Sequence, residues 1–395
     1  MTNGSKQEYL SAIRSRYLTA NKSEKKAILD EFCAVCDYNR KYAIRVLRRP
    51  VPKSSAAPKP QRGRKPKYHQ PEILAFLKTL WIATNLACGK RLKAMIPNWL
   101  PHSPETLSEA GRSLLATISA STIDRLLKPQ RAGQQKHGLA TTKPGSILKH
   151  HIPIKTNQWD ENKPGFLEAD TVAHCGTSTT GMFVLTVNCV DIATGWTEQR
   201  AVWGKGERGV LEAVKSIETA LPFALLGFDC DNGGEFLNWH LEHYLRERQR
   251  PAQFTRSRPY HKNDNAHVEE KNWTHIRQYL GYGRFDRQEL VSQLNELYTT
   301  EWRYLFNFFL PSVKLQEKSR HGAKIIKKYD QPKTPLQRVL DSPHLDESVK
   351  QKLQQQVQGL NPFQLKDQIL AKVQRILAQV NFTTFPPTEK SSVAP

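Results

Sequence analysis

The chain has 395 residues, a formal net charge of +22 and a pI near 9.7. This length allows several domains with buried cores, and so positive a chain favours a polyanionic partner, nucleic acid before membrane. No apolar run approaches the roughly 18 residues that span a bilayer, and the first residues, MTNGSKQEYL, lack the apolar stretch of a secretory signal. These properties weigh against membrane and secreted proteins; a basic protein that is merely soluble remains the alternative.

The positive charge is concentrated at the start of the chain. Residues 1–70 contain 17 Lys/Arg and 5 Asp/Glu, which gives them +12 of the +22. Two helical patterns occur within residues 23–49, and the second has one apolar face and one basic face. This arrangement predicts a helix-turn-helix DNA-binding domain over residues 1–49; a helical hairpin with a solvated charged face is the alternative. The candidate DNA contacts on the basic face are Arg40, Lys41 and Arg45.

Two segments without apolar periodicity divide the rest of the N-terminal half. Residues 50–67 carry five prolines and predict an extended linker, whose RGRKPK segment would either enter a minor groove or act as a solvated spacer. Residues 68–128 predict a second helix-turn-helix domain that ends in a short helix closed before Pro129. Residues 129–160 predict a second linker. The six cysteines are scattered, so we expect free thiols and no zinc site.

Residues 161–285 have the pattern of an α/β domain. Strand patterns and helical patterns follow one another in the order strand, strand, strand, helix, strand, helix, strand, helix. The predicted strands are 164–174, 183–192, 195–203, 224–228 and 251–255, and the predicted helices are 207–220, 235–248 and 266–280. This order predicts a mixed five-stranded sheet with helices packed against it.

Acidic residues stand at strand ends and at the start of the last helix of this domain. Asp170 lies on the first strand, Asp231 follows the fourth, and Glu269 and Glu270 begin the last helix. The first and fourth strands are expected to be neighbours, so three carboxylates converge and suit two Mg²⁺ or Mn²⁺ ions for phosphoryl transfer. Spacing alone leaves Asp231 and Asp229 open, as it does Glu269 and Glu270. A lone Asp after a strand is more often a turn former.

Three motifs carry these acids: LEADTV, DNGGEF and RPYHKNDNAHVEEKNW. In this order they resemble the retroviral-integrase-like (DDE) superfamily of bacterial insertion-sequence transposases, over roughly residues 160–285. The resemblance implies an RNase H-like core. It also selects Asp170, Asp231 and Glu269 as catalytic residues and metal ligands, because the family has Asn-Gly after the middle aspartate and an asparagine three residues after the glutamate. The chain departs from the family at Ala266-His267, where many members have a glycine.

The resemblance implies a DNA transposase that binds the terminal repeats of its own element. Such an enzyme cleaves the element's ends with water and joins the freed 3′-hydroxyl to target DNA. It works as a homo-oligomer on DNA, without a membrane partner, and is cytoplasmic and nucleoid-associated in bacteria. Two alternatives stay open: a DNA-binding regulator on a catalytically inactive transposase scaffold, and an RNase H-like nuclease that never joins strands. The resemblance also places five residues beside the DNA ends: Tyr260, His261, Lys262, Lys271 and Asn272.

The last third of the chain predicts a helical and basic DNA-binding region over residues 286–386. Residues 311–340 carry eight Lys/Arg and two Asp/Glu, and KIIKKYD within them predicts a basic strand. An apolar stripe within residues 362–380 is expected to pack inside the molecule, with oligomerisation as the alternative. Residues 387–395 predict a disordered tail.

Overall fold

The computed structural model describes residues 2–49, 67–132, 162–230, 235–236, 238–256, 266–322 and 324–380. The chain forms two compact units, residues 1–66 and 67–395. The predicted linker at 50–67 and the tail at 387–395 lie outside the described residues, apart from Lys67. No helix within the described ranges is long and apolar enough to cross a membrane.

Residues 2–49, the described part of the first unit, form three helices, one more than the sequence predicted. They are α1 (Asn3–Thr19), α2 (Lys22–Cys36) and α3 (Arg40–Arg48). The added helix, α1, buries Leu10, Ile13 and Tyr17 against Phe32 and Leu47. These three apolar residues are widely spaced among polar ones, which is why their helical pattern is weak. The predicted break between α2 and α3 is confirmed.

The break has a clear local cause. Asp37 ends α2 in the left-handed conformation, with a φ of 55°, and such residues stop a helix. Two residues on, the Asn39 side chain accepts the N–H of Lys41 and caps α3. The turn therefore has three residues, as a helix-turn-helix needs.

The second unit is built on the mixed five-stranded sheet that the sequence predicted. Its strands are β1 (Phe166–Ala173), β2 (Val184–Asp191), β3 (Thr197–Trp203), β4 (Gly227–Cys230) and β5 (Gln253–Arg256). They lie in the order β3-β2-β1-β4-β5. β1 runs antiparallel to β2 and parallel to β4, so the first and fourth strands are neighbours as expected.

Helices cover both faces of the sheet. Leu167 and Ala169 of β1 share a core with α9 (Glu207–Ala220) and α10 (Trp239–Arg246). Val172 belongs to the core on the other face. On that face a continuous helical stretch consists of α11 (Ala266–Lys271), a π-helical segment (Asn272–Arg277) and α12 (Gln278–Leu280).

The helices before and after the sheet share this second core. The preceding ones are α4 (Pro71–Ala83), α5 (Gly89–Trp99), α6 (Glu109–Thr117), α7 (Ala120–Leu126) and α8 (Lys128–Ala132); the following ones are α13 (Glu289–Leu297), two π-helical segments (Tyr298–Trp302 and Leu305–Phe309), α14 (Pro335–Asp341), α15 (Glu347–Val357) and α16 (Pro362–Leu377). One continuous cluster joins residues 73–127, the sheet and residues 276–380. The boundaries predicted within residues 68–386 therefore do not separate independent cores.

Three local predictions for this unit have definite outcomes. The helix predicted to close before Pro129 is α7, which ends at Leu126. A further short helix, α8, follows and contains Pro129 at its second position. A proline is tolerated there because the first turn of a helix needs no intrahelical N–H. The predicted basic strand is confirmed as β7 (Lys324–Tyr329), which forms a hairpin with β6 (Leu315–His321). The apolar stripe of α16 packs inside the molecule.

Candidate active site

The site is centred on β1, whose side chains alternate between the two faces of the sheet. Glu168 and Asp170 point away from the α9–α10 core and towards α11. Asp170 is half-buried, and its carboxylate is held at both oxygens. Oδ1 accepts the N–H of Thr171 at 2.7 Å, and Oδ2 accepts the Nδ2 amide of Asn272 at 2.7 Å. Asp170 is thus tied to the helical stretch that carries Glu269.

A row of buried amides extends this contact across the sheet. Asn188 on β2 donates to Asn272 Oδ1 at 2.8 Å, and Gln199 on β3 donates to Asn188 Oδ1 at 3.1 Å. The strand register explains the row, because Asp170 pairs with Asn188 and Asn188 pairs with Gln199. Sequence reasoning missed Asn188 and Gln199. The available signal was an amide at paired positions of two neighbouring strands.

Glu168 anchors the start of α11. Only 3% of Glu168 is exposed, and its Oε2 accepts the backbone N–H of His267 at 3.0 Å and of Val268 at 3.1 Å. The first N–H groups of a helix lack partners within the helix, and the helix dipole favours a negative charge beside them. Glu168 thus stabilises the end of α11 from which Glu269 follows.

The two neighbouring glutamates of α11 face different surroundings. Both are exposed, but Glu270 lies 3.6 Å from the ammonium group of Lys271. With about 100° between successive helix positions, Glu269 is about 60° from Asn272 around the helix axis, and Glu270 about 160°. Since Asn272 contacts Asp170, the geometry favours Glu269 as the acid on the Asp170 side.

Around the second motif, the structure describes the residues just before and just after positions 231–234. Asp229, which pairs with Glu168 across the sheet, accepts the Thr255 hydroxyl at 2.6 Å. Residues 231–234, including Asp231, lie outside the described residues, and Glu235 accepts the Thr171 hydroxyl at 3.0 Å. Within the described part of the chain, no three His, Cys, Asp or Glu side chains form a group that could hold a metal ion.

The predicted DNA contacts fall into three groups. Tyr260, His261 and Lys262 lie outside the described residues. Arg40 pairs with Asp30, and the Arg45 guanidinium lies 5.0 Å from the ring centre of Tyr42; these arginines and Lys41 are exposed or half-exposed on α3.

The third group is Lys271 and Asn272, which the resemblance placed beside the DNA ends. In the structure both side chains are directed towards the protein. Asn272 is engaged with Asp170, and only 8% of Lys271 is exposed. Burial lowers the pKa of Lys271, Glu270 raises it, and the nearby charges of Arg91 and Arg338 lower it. Lys271 lies on the inner side of the helix because its spacing places it on the same face as the buried Val268 and His275. Sequence reasoning missed Arg91 and Arg338, which are brought near Lys271 only by folding.

The second unit is an α/β protein. Its central strand, β1, carries two acids, Glu168 and Asp170, which accept hydrogen bonds from one helical stretch. No family model matches the chain. Over 340 residues, which are 84% of this chain and 94% of the relative, it is 40% identical to the uncharacterized protein y4rM of Sinorhizobium fredii (strain NBRC 101917 / NGR234). The chain belongs to the same family as y4rM.

Two solved structures are similar to parts of the chain. A simian T-cell lymphotropic virus intasome in complex with PP2A regulatory subunit B56 gamma matches 61% of this chain and 73% of its own, at 14% identity and a TM-score of 0.35. The catalytic core domain of BIV integrase matches 46% of this chain and 96% of its own, at 17% identity and a TM-score of 0.28.

Proposed function

We propose that the protein is a DDE-type DNA transposase. It binds the terminal repeats of its element, cleaves the ends and transfers the strands to target DNA, acting as a homo-oligomer. The observation that carries the proposal is the 2.7 Å hydrogen bond from Asn272 to Asp170, because it links the strand of the first motif to the helix of the third. The basic chain and the exposed cations of α3 support a DNA substrate.

In this proposal Asp170, Asp231 and Glu269 hold two Mg²⁺ or Mn²⁺ ions. The donors fit, because these hard cations prefer carboxylate oxygens, and Asp170 and Glu269 are carried by elements in direct contact. The bound ions would activate an attacking oxygen and stabilise the leaving oxygen at phosphorus. Asp231 follows Cys230, which pairs with Ala169 next to Asp170.

The chain's own residues supply orientation and contacts to DNA. Asn272 fixes one oxygen of Asp170, and the buried amides of Asn188 and Gln199 fix Asn272 in turn. The proposed DNA contacts are Arg40, Lys41 and Arg45 in the first unit and Tyr260, His261 and Lys262 before α11. No contact to DNA is assigned to Lys271, whose ammonium group is buried.

The decisive experiment uses purified full-length protein, a target plasmid and labelled duplexes copied from the DNA that flanks its reading frame, with Mg²⁺ or Mn²⁺. Asp231→Asn is compared with Asp229→Asn, since the Asp229 side chain is bonded to Thr255 and an asparagine there can still accept that bond. We expect joined products from the wild type and Asp229→Asn, and none from Asp231→Asn. Binding without cleavage would favour the inactive regulator, and cleavage without joining would favour the nuclease.

A further inference from the structure

We propose that Glu168 is a positioning residue of the active site, which holds α11 so that Glu269 stands beside Asp170. The inference rests on the proposed function. Glu168 does not need to touch DNA or metal for this role: its Oε2 already accepts two backbone N–H groups of the helix.

The helical stretch is attached to β1 by hydrogen bonds on both sides of Glu269. Upstream, the N–H groups of His267 and Val268 are bound by Glu168; downstream, the side chain of Asn272 is bound to Asp170. Both acceptors lie on β1, two residues apart on the same face. One rigid strand therefore fixes the helix at two points, and Glu269 lies between them.

The burial of Glu168 indicates that this contact is specific. Removing a carboxylate from water is costly unless hydrogen bonds compensate for it, and Glu168 is almost completely buried. α11 has only six residues before the helical stretch widens into its π-helical segment. The first N–H groups of α11 lack partners within the helix, so its position depends on such contacts.

The test compares Glu168→Gln with Glu168→Ala. Both hydrogen bonds end at the same oxygen, so the glutamine carbonyl can accept both, whereas alanine accepts neither. We expect Glu168→Ala to lower the rate constant of metal-dependent DNA cleavage about 100-fold, as displacement of a reacting group by about 1 Å does. The Kd for the end duplex should stay within about twofold, and Glu168→Gln should recover most of the rate.

A second readout does not depend on activity. Amide hydrogen exchange of residues 267–271 should become faster in Glu168→Ala and stay near the wild-type rate in Glu168→Gln. Leu185→Ala, a substitution in the core on the other face of the sheet, controls for general destabilisation and should leave exchange in α11 unchanged.

Three outcomes would overturn the inference: an unchanged cleavage rate in Glu168→Ala, exchange in α11 that responds equally to Leu185→Ala, or a Glu168→Gln variant as inactive as alanine with normal exchange. The last outcome would assign the carboxylate a direct role at the metal or DNA. If the wild type cleaves no DNA, the proposed function fails, and hydrogen exchange still decides whether Glu168 anchors α11.

Discussion

Asn272 Nδ2 and Asp170 Oδ2 are 2.7 Å apart, although 102 residues separate them in the chain. The contact orients one carboxylate oxygen through an amide that is itself held by Asn188. Such supporting contacts around metal-binding carboxylates typically contribute a factor of about 10 to 100 to metal affinity or activity.

Asn272→Leu should therefore lower the rate of metal-dependent cleavage by about 10- to 100-fold, because leucine has similar size and no donor. The affinity for DNA should change little. Single-turnover cleavage and duplex binding, measured on the same preparation, check this. The matched control is Thr274→Val, a half-exposed position on the same helical stretch whose hydroxyl donates to the backbone carbonyl of Glu270. A normal rate in Asn272→Leu would contradict the orienting role.

The amide row should also contribute to stability. Asn188→Leu removes the acceptor of the Gln199 amide and the donor to Asn272 Oδ1, so it should destabilise the fold by about 1–3 kcal/mol. Adding Gln199→Leu removes one unpaired group, and the double variant should lose less than the sum of the two single ones. Urea unfolding of the four proteins provides the cycle. Strictly additive losses would show that the two amides act independently.

Stability should fall in acid because of His174. Burial lowers the pKa of His174 to about 3, and the charge of Arg277 adds to this. An unfolded histidine titrates near 6.5, so between pH 6.5 and 3 the unfolded state binds a proton that the folded state does not. Above pH 6.5 this difference in proton binding leaves the free energy of unfolding unchanged. Below pH 6.5 it lowers the free energy of unfolding by about 1.4 kcal/mol per pH unit.

The variant His174→Phe should reduce that slope, whatever its stability at neutral pH, since phenylalanine keeps a ring to stack on Phe285. The free energy of unfolding at pH 7, 6 and 5 measures it. His243→Gln, at an exposed position, serves as the control and should retain the slope. An identical slope in wild type and His174→Phe would exclude His174 as its source.

The register of the β6–β7 hairpin separates the basic residues of the C-terminal region onto two faces, so the proposed DNA binding can be tested for each face. Arg320 pairs with Ile325, so Arg320 and Lys327 lie on one face; Lys328 lies on the other, 3.9 Å from Glu317. Replacing Arg320 and Lys327 together by glutamine should weaken DNA binding and reduce the slope of log K against log salt by about 1.8.

Lys328→Gln is the matched control, because Glu317 already offsets its charge. Its salt dependence should stay close to that of the wild type. Titrations of labelled duplex at several KCl concentrations distinguish the two faces. Equal effects of both substitutions would mean that the hairpin acts through net charge alone.

The sequence was sufficient for much of the sheet and less so for its surroundings. Strand patterns predicted the five strands along the chain and the neighbouring positions of the first and fourth, and helix α9 lies where it was predicted, at Glu207–Ala220. Helix α1 was missed because Leu10, Ile13 and Tyr17 are sparse among polar residues. The predicted domain divisions after Lys67 reflect composition, whereas the continuous core depends on which distant apolar faces meet.

The same distinction applies to the site. Spacing predicted acids on β1 and at the start of α11, and the resemblance to the family selected Asp170 and Glu269 among them. Glu168 was part of a motif, but its role depends on where His267 is brought by folding. The resemblance placed Lys271 beside the DNA ends. Sequence alone cannot fix which side of this helix faces the core, and the structure buries Lys271.

The continuous core of the second unit has a consequence for how such a protein can evolve. Val172, Ile276 and Leu280 are covered by residues that come from both before and after the sheet. A gene fragment limited to residues 161–285 would carry the acids but leave that apolar face open to water. The sheet is therefore not a unit that can be exchanged by itself. Recombination between relatives should preserve activity only when the crossover falls before Lys67 or after residue 380.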